Sequence, residues 1–323
     1  MGGVAAVAIL ATIVAAVLLF GDGGSGAPKG DGSDDGAQET AAVASAKDTG
    51  PVAVITDDPS CTAWASINNE LANSGQGLWN DRDRSVPASA WNPKQRAQYM
   101  AAGQSMRSAA AQTVGLVKLT PHRVMRELYQ QFIAYARAYS ERIPKYVPAD
   151  NNLAGAANSA SSALGSICAA ISDGSAAARG PLVAASTPPS EIAPVGNLAS
   201  PQPFLTSDNN VCPEWKAALD QFGQQTAQWQ QLDPNIPSIY WNKEQKAVNY
   251  AAGPVMNSYA GKLEQLGKDS DNAIWQDLAN LAAQYRRAFV TALPTYTPTD
   301  NHLANAANFA STIILGGCAA VAE

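Results

Sequence analysis

The hydrophobic pattern divides the chain into five stretches. An unbroken apolar run comes first, and then two stretches poor in large apolar residues alternate with two segments in which such residues recur every three to four positions. Val4 to Phe20 is 17 residues without a charged or strongly polar side chain. At about 1.5 Å per residue it spans roughly 25 Å, a little less than a ~30 Å hydrocarbon core, and the preceding glycines can lengthen it. No A-x-A cleavage pattern follows, and no cysteine that would carry a lipid. The run predicts a retained transmembrane signal-anchor over residues 1–20. Residues 21–60 are rich in Gly, Ala, Ser and Asp and predict a flexible acidic linker. Residues 172–211 carry six prolines and predict a second, more extended linker.

The periodic segments, 61–171 and 212–323, are copies of one another. Trp91-Asn92, Gln95 and Ala101-Ala102-Gly103 recur as Trp241-Asn242, Gln245 and Ala251-Ala252-Gly253. Each segment predicts four helices. The first starts at Cys61 or Cys212, with Trp64, Ile67, Leu71 or Trp215, Leu219, Phe222 on one face. The second starts at Asn92 or Asn242, where a glutamine three residues after the asparagine predicts a capping box. The third begins at Thr120-Pro121 in copy one and ends near Pro144 or Pro294. Asp150 and Asp300 are placed to cap the fourth. The fold class read from this is all-α, an N-terminal transmembrane helix followed by two tandem four-helix bundles.

The four cysteines stand at the copy ends, with no C-x-x-C pair and no histidine spaced with them, which argues against zinc. Pairing Cys61 with Cys168 and Cys212 with Cys318 matches the duplication and closes each bundle with one disulfide. That chemistry belongs to an oxidising compartment, so most of the chain is expected on the extracytoplasmic side of a cell membrane it crosses once.

Charge separates the copies. Cys61–Cys168 holds 11 Lys/Arg against 6 Asp/Glu, whereas Cys212–Cys318 holds 7 against 9. Arg82, Arg84, Lys94 and Arg96 in copy one form the candidate surface for an anionic partner, either lipid or acidic polymer. No basic tract or aromatic platform points to nucleic acid.

Other polar groups have structural readings beside functional ones. Asp150-Asn151 and Asp300-Asn301 suit a ligand site, and equally helix caps. Trp91 and Trp241 suit a sugar or lipid platform, and equally a residue packed beneath the cap. His122 and His302 are not equivalent in the two copies. No nucleophile elbow, P-loop, HExxH or dinucleotide fingerprint is present, and neither a metal nor a cofactor is expected.

The layout of the anchor at Val4–Phe20, the two linkers and the paired Trp-Asn-x-x-Gln segments resembles actinobacterial, especially mycobacterial, single-pass cell-envelope proteins. That resemblance carries no activity and no functional residues. The function expected is non-enzymatic: binding, scaffolding or sensing at the envelope, with other envelope proteins, lipids or acidic polymers as partners. The alternative is a carrier that holds a hydrophobic envelope molecule in or between the bundles.

Overall fold

The computed structural model describes residues 43–74 and 82–322. The predicted membrane segment at 4–20, most of the first linker and Trp79 lie outside them. The described residues are helical, without β-strands. Copy one, from here repeat one, comprises α1 (Cys61–Ser74), α2 (Pro93–Leu119), α3 (Arg123–Arg142) and α4 (Asn151–Ser172). After the short α5 (Ser175–Arg179), repeat two comprises α6 (Cys212–Gln225), α7 (Lys243–Asp269), α8 (Ala273–Ala292) and α9 (Asn301–Val321). In each repeat successive helices pack together and the fourth returns to the first. Disulfides join Cys61 to Cys168 and Cys212 to Cys318, with Cα atoms 5.2 and 5.6 Å apart.

Local sequence chemistry sets the helix starts. Asn92 and Gln95 exchange side-chain and backbone bonds of 2.9 and 3.0 Å, as do Asn242 and Gln245 at 2.8 and 3.0 Å. Both capping boxes satisfy N–H groups that the first helical turn leaves unpaired. Three expectations need correction. Helix α3 starts at Arg123 rather than Thr120-Pro121, because the Thr120 hydroxyl is drawn away to the Asp58 carboxylate. Asp150 and Asp300 do not cap the fourth helices. Each adopts a helical backbone, φ −61° and −65°, and its carboxylate turns back to the N–H of Val147 or Thr297. They close the short Pro148 and Pro298 turns instead.

The linkers are also corrected, because the described parts are packed rather than loose. Val43, Val52, Val54 and Ile55 are buried, as are Leu198, Phe204 and Leu205. Each strap precedes one repeat and reaches the other. Tyr285 of α8 bonds through its hydroxyl to both the N–H and the carbonyl of Ile55. Gln131 of α3 accepts the N–H of Phe204, whose ring stands edge-on to Tyr135 at 6.2 Å. Tyr135 and Tyr285 are equivalent residues, so the two straps exchange places.

The fourth helices of the two repeats pack antiparallel. Asn152 near the start of α4 donates to the Ala319 carbonyl near the end of α9, and Thr312 donates to Ser159. Alanine and glycine make the approach close. A Cβ on Gly316 would lie 3.0 Å from Ala156, and one on Gly317 would lie 2.7 Å from the Phe204 ring and the Tyr135 hydroxyl. One helical segment among the described residues, Pro298–Val321, is long and apolar enough to cross a membrane, with mean hydropathy 1.3. Half of its most apolar window is buried, and it packs against α4, α6 and α8, which makes it a core helix here.

Candidate functional site

Polar chemistry collects at three places: the seam between the repeats and one tip on each repeat. At the seam, Arg123 of α3 meets Asp277 of α8 with bonds of 2.6 and 3.1 Å, and both are buried. The same guanidinium donates to the carbonyls of Asp48 and Gly50, which fixes the first strap. Burial draws the Arg123 pKa down, but the bonds and charge of Asp277 outweigh this and leave it raised. Next to the pair lie Arg126 and Glu127, buried and 3.6 Å apart, beyond hydrogen-bond reach. Burial and the adjacent Asp277 charge push the Glu127 carboxyl well above the usual carboxylate range. The duplication explains the crowding. Glu127 and Asp277 are equivalent positions brought together at the seam, while the equivalent of Arg123 is Ala273.

The tip of repeat one is the loop 82–92 that leads into α2. The predicted basic surface divides there. Arg82 is half-buried, donates to Asn151 at 2.7 Å and lies over the Tyr99 ring. Burial lowers its pKa. Arg82 therefore ties the loop to the start of α4 and is not part of the accessible charge. Arg84, Lys94 and Arg96 are exposed. Arg96 also donates to the Ala88 carbonyl at 2.9 Å and lies 5.9 Å from the centre of Trp91. Trp91 is buried, its indole N–H donates to Val86, and its ring stacks on Tyr99 at 4.0 Å. It supports the loop from beneath and offers no platform.

Repeat two builds the same frame. Trp241 donates to Ile236 and stacks on Tyr296, whose hydroxyl donates to Pro234 at 2.6 Å. The N–H of Ser238 donates to the Tyr296 carbonyl, as that of Ala88 does to Tyr146. The surface carried on this frame differs. Where repeat one has Ser89 and Ala90, repeat two has Ile239 and Tyr240, 77% and 73% exposed. Tyr250 is half exposed two turns into α7, and Lys243 and Lys246 lie between. Composition and periodicity did not single out these residues. The legible signal was two small residues becoming two large apolar ones inside an otherwise repeated Pro-x-x-x-Trp-Asn frame.

The antiparallel seam places the two tips at opposite ends of the body. Each tip adjoins the start of its fourth helix, through Arg82 to Asn151 in repeat one and through the Tyr296 turn in repeat two. The start of α4 lies beside the end of α9, and the start of α9 lies beside the end of α4, where His302 meets Asp173 at 3.1 Å. With 22 residues in α4, the separation is roughly 33 Å. Arg179 of the second linker binds Asp300 at 3.0 and 3.1 Å, so this carboxylate anchors a linker. His122 is half-buried, with its ring against the Asp57 carbonyl. Among the described residues no group of three or more His, Cys, Asp or Glu is arranged to hold a metal ion.

No solved structure matches the chain. An uncharacterised protein of Mycolicibacterium smegmatis (strain MKD8) is 45% identical over 325 residues, covering 100% of this chain and 86% of its own length. The family model described as mycobacterial ESX-1 associated protein matches residues 43–323, a span that begins at the first strap and takes in both repeats and their seam. The chain belongs to this family of mycobacterial ESX-1 associated proteins.

Proposed function

We propose that the protein is a non-enzymatic adaptor of the cell envelope. In this reading residues 4–20 anchor it in the membrane, and the two disulfide-closed bundles stand on the extracytoplasmic side. The observation that carries it is the pair of unlike tips held on one duplicated frame at opposite ends of a single packed body. A body of this form joins two different surfaces at a fixed spacing, and packed straps keep that spacing from relaxing as a loose tether would. The family description, ESX-1 associated, supports components of that secretion system or of the envelope as the partner class.

The basic tip is the surface through which we expect an anionic partner to dock, with Arg84, Lys94 and Arg96 as its exposed cations. Exposed charges steer association and are screened beyond about 10 Å at 0.1 M salt. A carrier would need an enclosed apolar cavity, whereas the cleft between α1 and α2 is open and bordered by Glu70 and Gln112.

The test uses the full chain with Arg84→Ser, Lys94→Ser and Arg96→Ser combined. ESX-1 components and anionic vesicles captured by the parent chain at low salt should be retained about ten-fold less by the variant. Equal retention of both classes would reject the basic tip as the docking surface.

A further inference from the structure

Among the described residues, repeat one leaves open a space that repeat two fills. Between α1 and α2 lies a cleft of about 280 Å3, floored by Ile67, Leu71 and Ala109 and rimmed by Glu70, Ser108 and Gln112. Gln112 donates to Glu70 across it at 3.1 Å. In repeat two, Phe222 and Tyr259 stand at the positions of Leu71 and Ala109. Their rings stack 4.2 Å apart at 12°, and the buried Arg286 guanidinium, where repeat one has Ala136, lies 4.9 Å from the Phe222 ring. The duplication therefore shows what fits this space: an aromatic ring laid flat over the small-residue face of the second helix.

The same molecule carries an exposed aromatic projection. Ile239 and Tyr240 stand out from a turn that is fixed at both ends, by Trp241 to Ile236 and by Ser238 to Tyr296. Holding an apolar anchor rigidly in its exposed position lowers the entropic cost of docking it. Lys243, Glu244 and Lys246 border the projection and leave it one net positive charge, and an exposed Glu70 borders the cleft, so the net charges of the two surfaces are opposite in sign.

We propose that the repeat-two tip of one molecule docks into the α1–α2 cleft of a second copy. Tyr240 takes the place that Tyr259 and Phe222 occupy in repeat two, and Lys243 or Lys246 meets Glu70. Tip and cleft are different surfaces on different repeats, so the contact is heterologous, and copies join head to tail. This interface does not use Arg84, Lys94 or Arg96, so it stands or falls separately from the docking of an anionic partner.

The experiment places the photo-crosslinking residue p-benzoylphenylalanine at position 240 of the full chain in the expressing cell. Irradiation should give an adduct of doubled mass, with the crosslinked peptide mapping to α1 or α2 of the second copy. Ser108→Trp fills the cleft from an exposed rim position, and Glu70→Lys reverses the charge there. Each should lower the adduct about ten-fold. Intact Cys61–Cys168 and Cys212–Cys318 bonds in both variants show that folding is retained. An adduct to a different protein, no adduct of doubled mass, or a yield that neither variant lowers would overturn the proposal.

Discussion

Repeat one and repeat two share a capping box, a buried tryptophan before it and a closing disulfide, but display surfaces of different character. Arg84, Lys94 and Arg96 stand around the first tip, and Ile239, Tyr240 and Tyr250 around the second. The groups that hold each tip are nearly the same: an indole bonded to a carbonyl five residues back, and a tyrosine bonded to the loop. The frame is duplicated and the displayed groups have diverged. The interior diverges in the same way, since Phe222 and Tyr259 fill what Leu71 and Ala109 leave open, and the buried Arg286 stands where repeat one has the buried Ala136. These differences make the tips and the cleft the candidate sites of the proposed function, while Trp-Asn-x-x-Gln belongs to the frame.

The seam makes the comparison breakable, because an unmatched ion pair holds the two repeats together there. Asp277→Ala removes the carboxylate from buried Arg123 and also loosens the first strap, which the same guanidinium holds. Leaving a buried charge unpaired is expected to lower stability by about 3–5 kcal/mol, measured by urea denaturation. If the repeats were independent bodies, the loss would be confined to one of two separable transitions. The packed seam predicts that fluorescence and circular dichroism shift together.

A smaller effect should come from Glu127. Its carboxyl is raised by burial and then by Asp277, so the folded state holds the proton more tightly than the unfolded state. The stabilisation from that proton is complete below the unfolded value near 4.5 and is lost as pH rises through the folded value. Glu127→Gln keeps a neutral side chain at every pH. It should gain stability over the parent as pH rises toward 8, with the advantage gone near pH 4. Parallel stability curves for the two proteins would remove Glu127 as the source of the slope.

The sequence made much of the frame legible. Repeated motifs identified the capping boxes, and the cysteines at the copy ends identified the disulfides, because both rest on local spacing. In sequence the straps look like tethers, because Val52, Val54 and Ile55 are too few to form a periodic pattern. Their burial depends on a surface supplied by the other repeat. The seam was hidden for the same reason, since pairing Arg123 with Asp277 joins residues 154 positions apart. Composition groups Arg82 with the surface charge, because it does not tell an arginine facing solvent from one bonded to Asn151 over a tyrosine ring. Ile239 and Tyr240 were visible as a difference between the copies, but only the structure shows them exposed on a fixed turn.

The central claim, that one rigid body presents two unlike binding surfaces at opposite ends, is tested most directly by photo-crosslinking the full chain from Lys94 and from Tyr240 in separate experiments. The account predicts two different captured sets: an anionic ESX-1 or envelope component at position 94, and a second copy of the chain at position 240. The same set of captured proteins from both positions would contradict it.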